Sequence, residues 1–224
     1  MARTPNASKS RAQKPPKQRG KSAEKAKRQV IPIILVVGSH DNEEGEKHKA
    51  KCETVAALLV KHGVHLLTGG GPGVMAKVGQ FFVEHPEREA GQRCLGVLPC
   101  DESNSSVAKK GYPNCWVEIP IFTHLSGKKK LPGKQKSIDT PKEANSRNHI
   151  NALTASAVIG LPGGDGTLAE LELAVAYERP CVTFLDSEDQ IKGLSESQFR
   201  TRISNVSEAE LDQFLKAILK PTKV

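Results

Sequence analysis

Two glycine-rich turns constrain this chain most, because each ends an apolar run and opens a helical one. The first, Gly69-Gly70-Gly71-Pro72-Gly73, follows the strand-like stretch Val64–Thr68 and precedes helical spacing from Val74 to about Glu84. The second, Pro162-Gly163-Gly164-Asp165-Gly166-Thr167, follows Ala157–Leu161 and precedes a helix running to about Tyr177. Glycine at such a turn lets backbone approach an anion closely. The helix N-terminus supplies unpaired N–H groups and partial positive charge. Two such turns at the carboxyl ends of strands in one sheet point to a shared phosphate or nucleotide site. The plainer alternative is that the glycines only make tight turns.

The rest of the chain keeps the same alternation. Ile31–Gly38 is a continuous apolar run closed by glycine, as a strand buried on both faces reads. Helical spacing over Glu43–His62 predicts a helix closed by Gly63. Cys94–Pro99 and Cys115–Phe122 read as further strands, and Thr123–Thr140, with five lysines, as a mobile surface loop. Helical spacing resumes over Pro141–Ser156. Cys181–Asp186 predicts another strand. Ser207-Glu-Ala-Glu210 is a capping box opening an amphipathic helix to Leu219. Strands alternating with helices predict an α/β fold: a Rossmann-like, three-layer arrangement with a mostly parallel sheet.

Charge divides the chain. The whole carries +8, but residues 1–29 hold ten basic side chains and one acid, Glu24. The remainder is near neutral, which weakens the inference that the fold itself binds nucleic acid. Segment 1–29 lacks aliphatic residues beyond alanine after Met1. It is expected to be a disordered basic tail, with nucleic acid or acidic partners as a weaker alternative. Residues 30–224 are expected to form a single nucleotide-binding domain. No apolar run approaches the roughly 20 residues of a membrane helix, and no secretory h-region is present. The five cysteines are odd in number, with no C-x-x-C pair. Free thiols and a cytoplasmic location are expected.

Sharper motifs are mostly absent. Gly127 to Gly133-Lys134 has one residue too many for a P-loop, and Gln135 stands where Ser or Thr is needed. No G-x-S-x-G or H-E-x-x-H occurs. The seven histidines are scattered, so no metal site is expected. Gly164-x-Gly166-x-x-Ala169, with Asp186 ending the next strand, matches a dinucleotide pattern and keeps an NAD(P)-binding oxidoreductase as an alternative. That reading leaves the triglycine turn without a role.

Taken together, Thr68-Gly-Gly-Gly-Pro-Gly-Val-Met75, Ser146-Arg-Asn148 and Leu161-Pro-Gly-Gly-Asp-Gly-Thr-Leu-Ala-Glu170 resemble the LOG-like (Lonely Guy) family of the SLOG superfamily, often labelled lysine decarboxylase-like. The resemblance runs from about Ile31 to Phe184. Gly38-Ser39 sits where the family has its first-strand G-S, and Arg147 lies 23 residues before Glu170, as the family motif requires. Arg147-Asn148, where phytohormone-activating members carry Arg-Lys, is similar to the branch that includes molybdenum-cofactor-carrier-like proteins.

The resemblance implies a Rossmann-like homodimer that cleaves the N-glycosidic bond of a nucleoside 5′-monophosphate to free base and ribose 5-phosphate, without a cofactor. The alternative is a non-catalytic carrier or sensor for a nucleotide or the molybdenum cofactor. Arg147 and Glu170 are the expected catalytic pair. Gly38, Ser39, Gly69, Gly70, Gly71, Gly73, Met75, Asn148, Gly163, Gly164, Gly166 and Thr167 are the expected phosphate or nucleotide site. The residue chemistry agrees. The Thr167 hydroxyl and the Gly164–Thr167 amides can hold a 5′-phosphate. Glu170, one helical turn on, shares their face and could activate water or stabilise an oxocarbenium-like ribose. Arg147 could orient Glu170 or bind phosphate. The structural alternatives are a helix-dipole role for Glu170 and a surface ion pair for Arg147. Decarboxylation finds no support, because pyridoxal chemistry needs a Schiff-base lysine and neither turn contains one.

Overall fold

Ile33–Val37 (β1) is apolar at every position because it lies at the centre of a parallel sheet, between His65–Thr68 (β2) and Ala157–Gly160 (β5). Side chains alternate across a strand. Ile34 and Val36 thus enter one core and Leu35 and Val37 the other. The computed structural model describes residues 30–127 and 146–219. Segment 1–29, most of the loop expected over 123–140 and the start of the helix expected from Pro141 lie outside the described residues. So does most of the P-loop-like stretch.

Beyond β2 lie Cys94–Leu98 (β3) and Ile119–Phe122 (β4); beyond β5 lie Cys181–Thr183 (β6) and Ser204–Asn205 (β7). The seven strands run in the order β4-β3-β2-β1-β5-β6-β7, every pair parallel. Helices Asn42–Lys47 (α1), Lys49–Lys61 (α2), Val74–Val83 (α3), Asn148–Thr154 (α4), Asp165–Ala176 (α5) and Glu208–Ile218 (α6) complete the fold. The core on one face joins β1, β2 and β5 to α2, α3 and α6 through Val55, Leu59, Val78, Phe82, Leu211 and Leu215. The core on the other face takes Leu171, Ala174 and Val175 of α5. This is the expected α/β Rossmann-like layering. No described helix is long and apolar enough to cross a membrane.

Several boundaries differ from the sequence reading, for identifiable reasons. The helix expected over Glu43–His62 is two helices, broken at His48, whose ring turns inward to Glu44 and Asp189. Gly45 of α1 lies against the backbone of Gly73, so α1 is wedged at the first glycine turn. The strand expected from Cys115 starts at Ile119, because the Asn114 side chain and carbonyl accept from Trp116 and Val117 and hold a turn there. The two-residue β7 has no sequence signal. Cys52, Cys94, Cys100 and Cys181 are buried free thiols, and Cys115 is exposed. Burial pushes the Cys52 and Cys94 thiols up to about 12.

Candidate functional site

After β1 the chain proceeds outward to β4, then returns to β5 on the other side of β1. The carboxyl ends of β1 and β5 therefore flank the point where strand order reverses, the usual crevice for ligands in open α/β sheets. The loops after both strands are tied together there: the Ser39 N–H donates to the Pro162 carbonyl at 3.0 Å. A cleft of about 370 Å³ opens at this point.

Of the residues expected from sequence, Gly38, Ser39, Met75, Arg147, Asn148, Gly164, Gly166, Thr167 and Glu170 line the cleft. Gly69, Gly70, Gly71, Gly73 and Gly163 do not. The triglycine turn lies behind the site. A Cβ at Gly69 would overlap the Arg147 guanidinium, and one at Gly71 would come within 2.7 Å of Met75 Cε and Tyr112 Oη. Two donors at the start of α3 are used within the fold: Gly73 N–H binds Asn42 Oδ1 at 3.1 Å, and Val74 N–H binds the Ser39 carbonyl at 2.9 Å. This turn makes room for the side chains that face the cleft. Gly163 is similarly committed. Its N–H donates to the Gln190 carbonyl, its carbonyl accepts from Lys192, and a Cβ would overlap Thr167 Oγ1.

The second turn presents its helix end to the cleft. At the N-terminus of α5, Thr167 and Leu168 N–H both donate to the Gly164 carbonyl, while the Gly166 N–H has no partner among the described residues. One turn further on, Glu170 is buried on the same face. Its Oε1 accepts from Asn151 Nδ2 at 2.6 Å and from Arg147 Nη1 at 3.3 Å. Both donors reach the same oxygen, and Glu170 lines the cleft. Burial pushes the Glu170 carboxyl above its ordinary range, while Arg147 and Asn151 pull it down. Arg147 Nε and Asn151 Oδ1 are buried without a hydrogen-bond partner, and buried polar atoms of that kind are uncommon.

The structure also brings residues the sequence reading missed: His40, Lys109, Tyr112, Asp165 and Lys192. Tyr112 arrives because Asn114 pins its segment to the triglycine turn, donating from N–H to the Gly70 carbonyl at 2.8 Å and from Nδ2 to the Gly71 carbonyl at 2.7 Å. Burial raises the Tyr112 phenol, with Arg147 lowering and Glu170 raising it further. Asp165 and His40 sit in or beside the recognised turns, whereas Lys109, Tyr112 and Lys192 reach the cleft from loops that no local pattern marks. Among the described residues, no group of three His, Cys, Asp or Glu side chains is placed to hold a metal.

Fold and site together define a Rossmann-like α/β protein with a helix N-terminus and a buried Arg–Glu pair at the switch point of its sheet. The chain belongs to the SLOG cluster4 family, whose match spans residues 31–211. No curated protein matches it. Among solved structures it is similar to the molybdenum cofactor binding protein from the phototrophic bacterium Rippkaea orientalis, at 24% identity and a TM-score of 0.59 over 85% of this chain and 99% of that one. The molybdenum cofactor carrier protein from Chlamydomonas reinhardtii matches at 24% identity and a TM-score of 0.58, over the same shares. DNA processing protein A from Helicobacter pylori matches at 14% identity and a TM-score of 0.52, over 83% of this chain and 80% of that one. At these identities the likeness establishes the fold.

Proposed function

We propose that the cleft binds a nucleoside 5′-monophosphate and hydrolyses its N-glycosidic bond. The observation that carries this reading is Glu170, which lines the cleft one turn after a helix N-terminus, with Oε1 held by two donors. The helix end and the Thr167 hydroxyl suit a phosphate. A carboxylate at the cleft held above its ordinary pKa range suits a base that activates water or a group that stabilises an oxocarbenium-like ribose. Arg147 orients that carboxylate. Tyr112 and Met75 give the cleft an apolar wall against which a base can lie.

The test is release of free base from AMP and N6-modified AMP. Glu170→Gln should reduce it by about 10²- to 10⁴-fold, the usual range for a general base, while AMP still binds. In the wild type, base release should rise with pH through the raised Glu170 pKa, because the base must be ionised. A wild-type protein that binds AMP without releasing base overturns the hydrolase reading. The second reading is a carrier that holds the molybdenum cofactor or a nucleotide without turnover. It is favoured by the two molybdenum-cofactor proteins among the similar structures. On either reading we propose a homodimer, which light scattering at defined concentration tests.

A further inference from the structure

A group of buried polar side chains takes no part in lining the cleft. His48, at the break between α1 and α2, has Nε2 3.1 Å from Glu44 Oε2 and Nδ1 3.5 Å from Asp189 Oδ1. Lys51 Nζ lies 3.1 Å from Asp189 Oδ2 and also binds Asp186. The side chains of His48, Lys51 and Asp189 are only 5%, 10% and 9% exposed. Net stabilisation from buried ion pairs is small, because desolvation offsets the attraction. Their consequence here is placement of the segment that follows β6. Asp189 Oδ2 accepts from the Asp186 N–H at 2.9 Å. The next residues run beside the β5–α5 turn: the Gly163 N–H donates to the Gln190 carbonyl at 3.1 Å, and the Lys192 N–H to the Gly163 carbonyl at 3.0 Å. Between them Ile191 is anchored in the core.

Lys192 therefore leaves a backbone held on both sides. Its Nζ stands at the cleft, 3.5 Å from Oδ1 of Asp165, the first residue of α5. A carboxylate in the first turn suits the helix dipole, but it repels a phosphate arriving at the same N–H groups. An ammonium at that spot offsets the repulsion and adds a charged donor. We infer that Lys192 reads the phosphate of the ligand at the α5 N-terminus, and that the His48–Lys51–Asp189 network is the positioning device that holds its loop against the turn. The inference rests on the phosphorylated-ligand reading above.

Titration calorimetry of the full chain with AMP, inorganic phosphate and adenosine tests it. Lys192→Met should weaken AMP and phosphate about tenfold, the loss expected for one charge-assisted contact, and leave adenosine unchanged. Lys192→Arg should retain AMP binding. Lys51→Met, which removes no atom from the cleft lining, should weaken AMP in the same direction; Asp189→Asn, which keeps the side-chain shape, serves if that variant does not fold. Equal AMP affinity in wild type and Lys192→Met overturns the inference while leaving the nucleotide reading standing. A folded network variant that binds AMP like wild type overturns the positioning role. A wild-type protein that binds adenosine as tightly as AMP overturns the phosphate reading and this inference with it.

Discussion

A Cβ at Gly69 would overlap the Arg147 guanidinium, whereas one at Gly70 would strike the Leu98 side chain from a backbone at φ +73°. Adjacent glycines therefore serve different ends, and their alanine variants should separate. Gly69→Ala displaces the arginine that holds Glu170, so base release should fall toward the level of Arg147→Ala with a smaller loss of thermal stability. Gly70→Ala forces a left-handed backbone on a residue with a Cβ, at a cost of about 1–3 kcal/mol, and should lower the melting temperature more. Thermal denaturation beside base release distinguishes the two. The sequence singled out this turn through its glycines. Their use as clearance for Arg147, Met75 and Tyr112 depends on neighbours remote in the chain.

Among the elements, α6 is the one whose limits are written most directly in the residues. Ser207 Oγ accepts from the Glu210 N–H, and the Glu210 carboxylate accepts from the Ser207 N–H at 2.8 Å. Leu211 and Leu215 then carry its apolar face into the core. Ser207→Ala removes the cap and should cost about 1 kcal/mol in urea denaturation, leaving the distant cleft's ligand affinity unchanged. By contrast, the α1–α2 break at His48 is tertiary. The helical spacing of Glu43–His62 runs through that residue, and its ring meets Asp189, from beyond β6, as well as Glu44 of α1. The α5 N-terminus shows both influences: Gly163 to Thr167 announces a turn, and the loop from Gln190 to Lys192 fixes its backbone.

For the whole molecule, the charge asymmetry gives a direct prediction. Residues 1–29 hold all the excess positive charge, while the family match starts at residue 31. Deleting residues 1–29 should leave base release and melting temperature unchanged, and a collapse of either would show that the division of the chain is misplaced. The sequence by itself determined the alternation of strands and helices, the two glycine turns, the capping box and the Arg147–Glu170 spacing, because each is a local pattern of side-chain size, apolar period or backbone freedom. The tertiary structure decided which turn faces the cleft. It did so by setting Gly164, Gly166 and Thr167 on the cleft and the triglycine turn behind it, and by delivering Lys109, Tyr112 and Lys192 from loops that meet only when strand order reverses between β1 and β5. Hydrogen-bond partners remote in sequence settle those choices, and no local pattern encodes them.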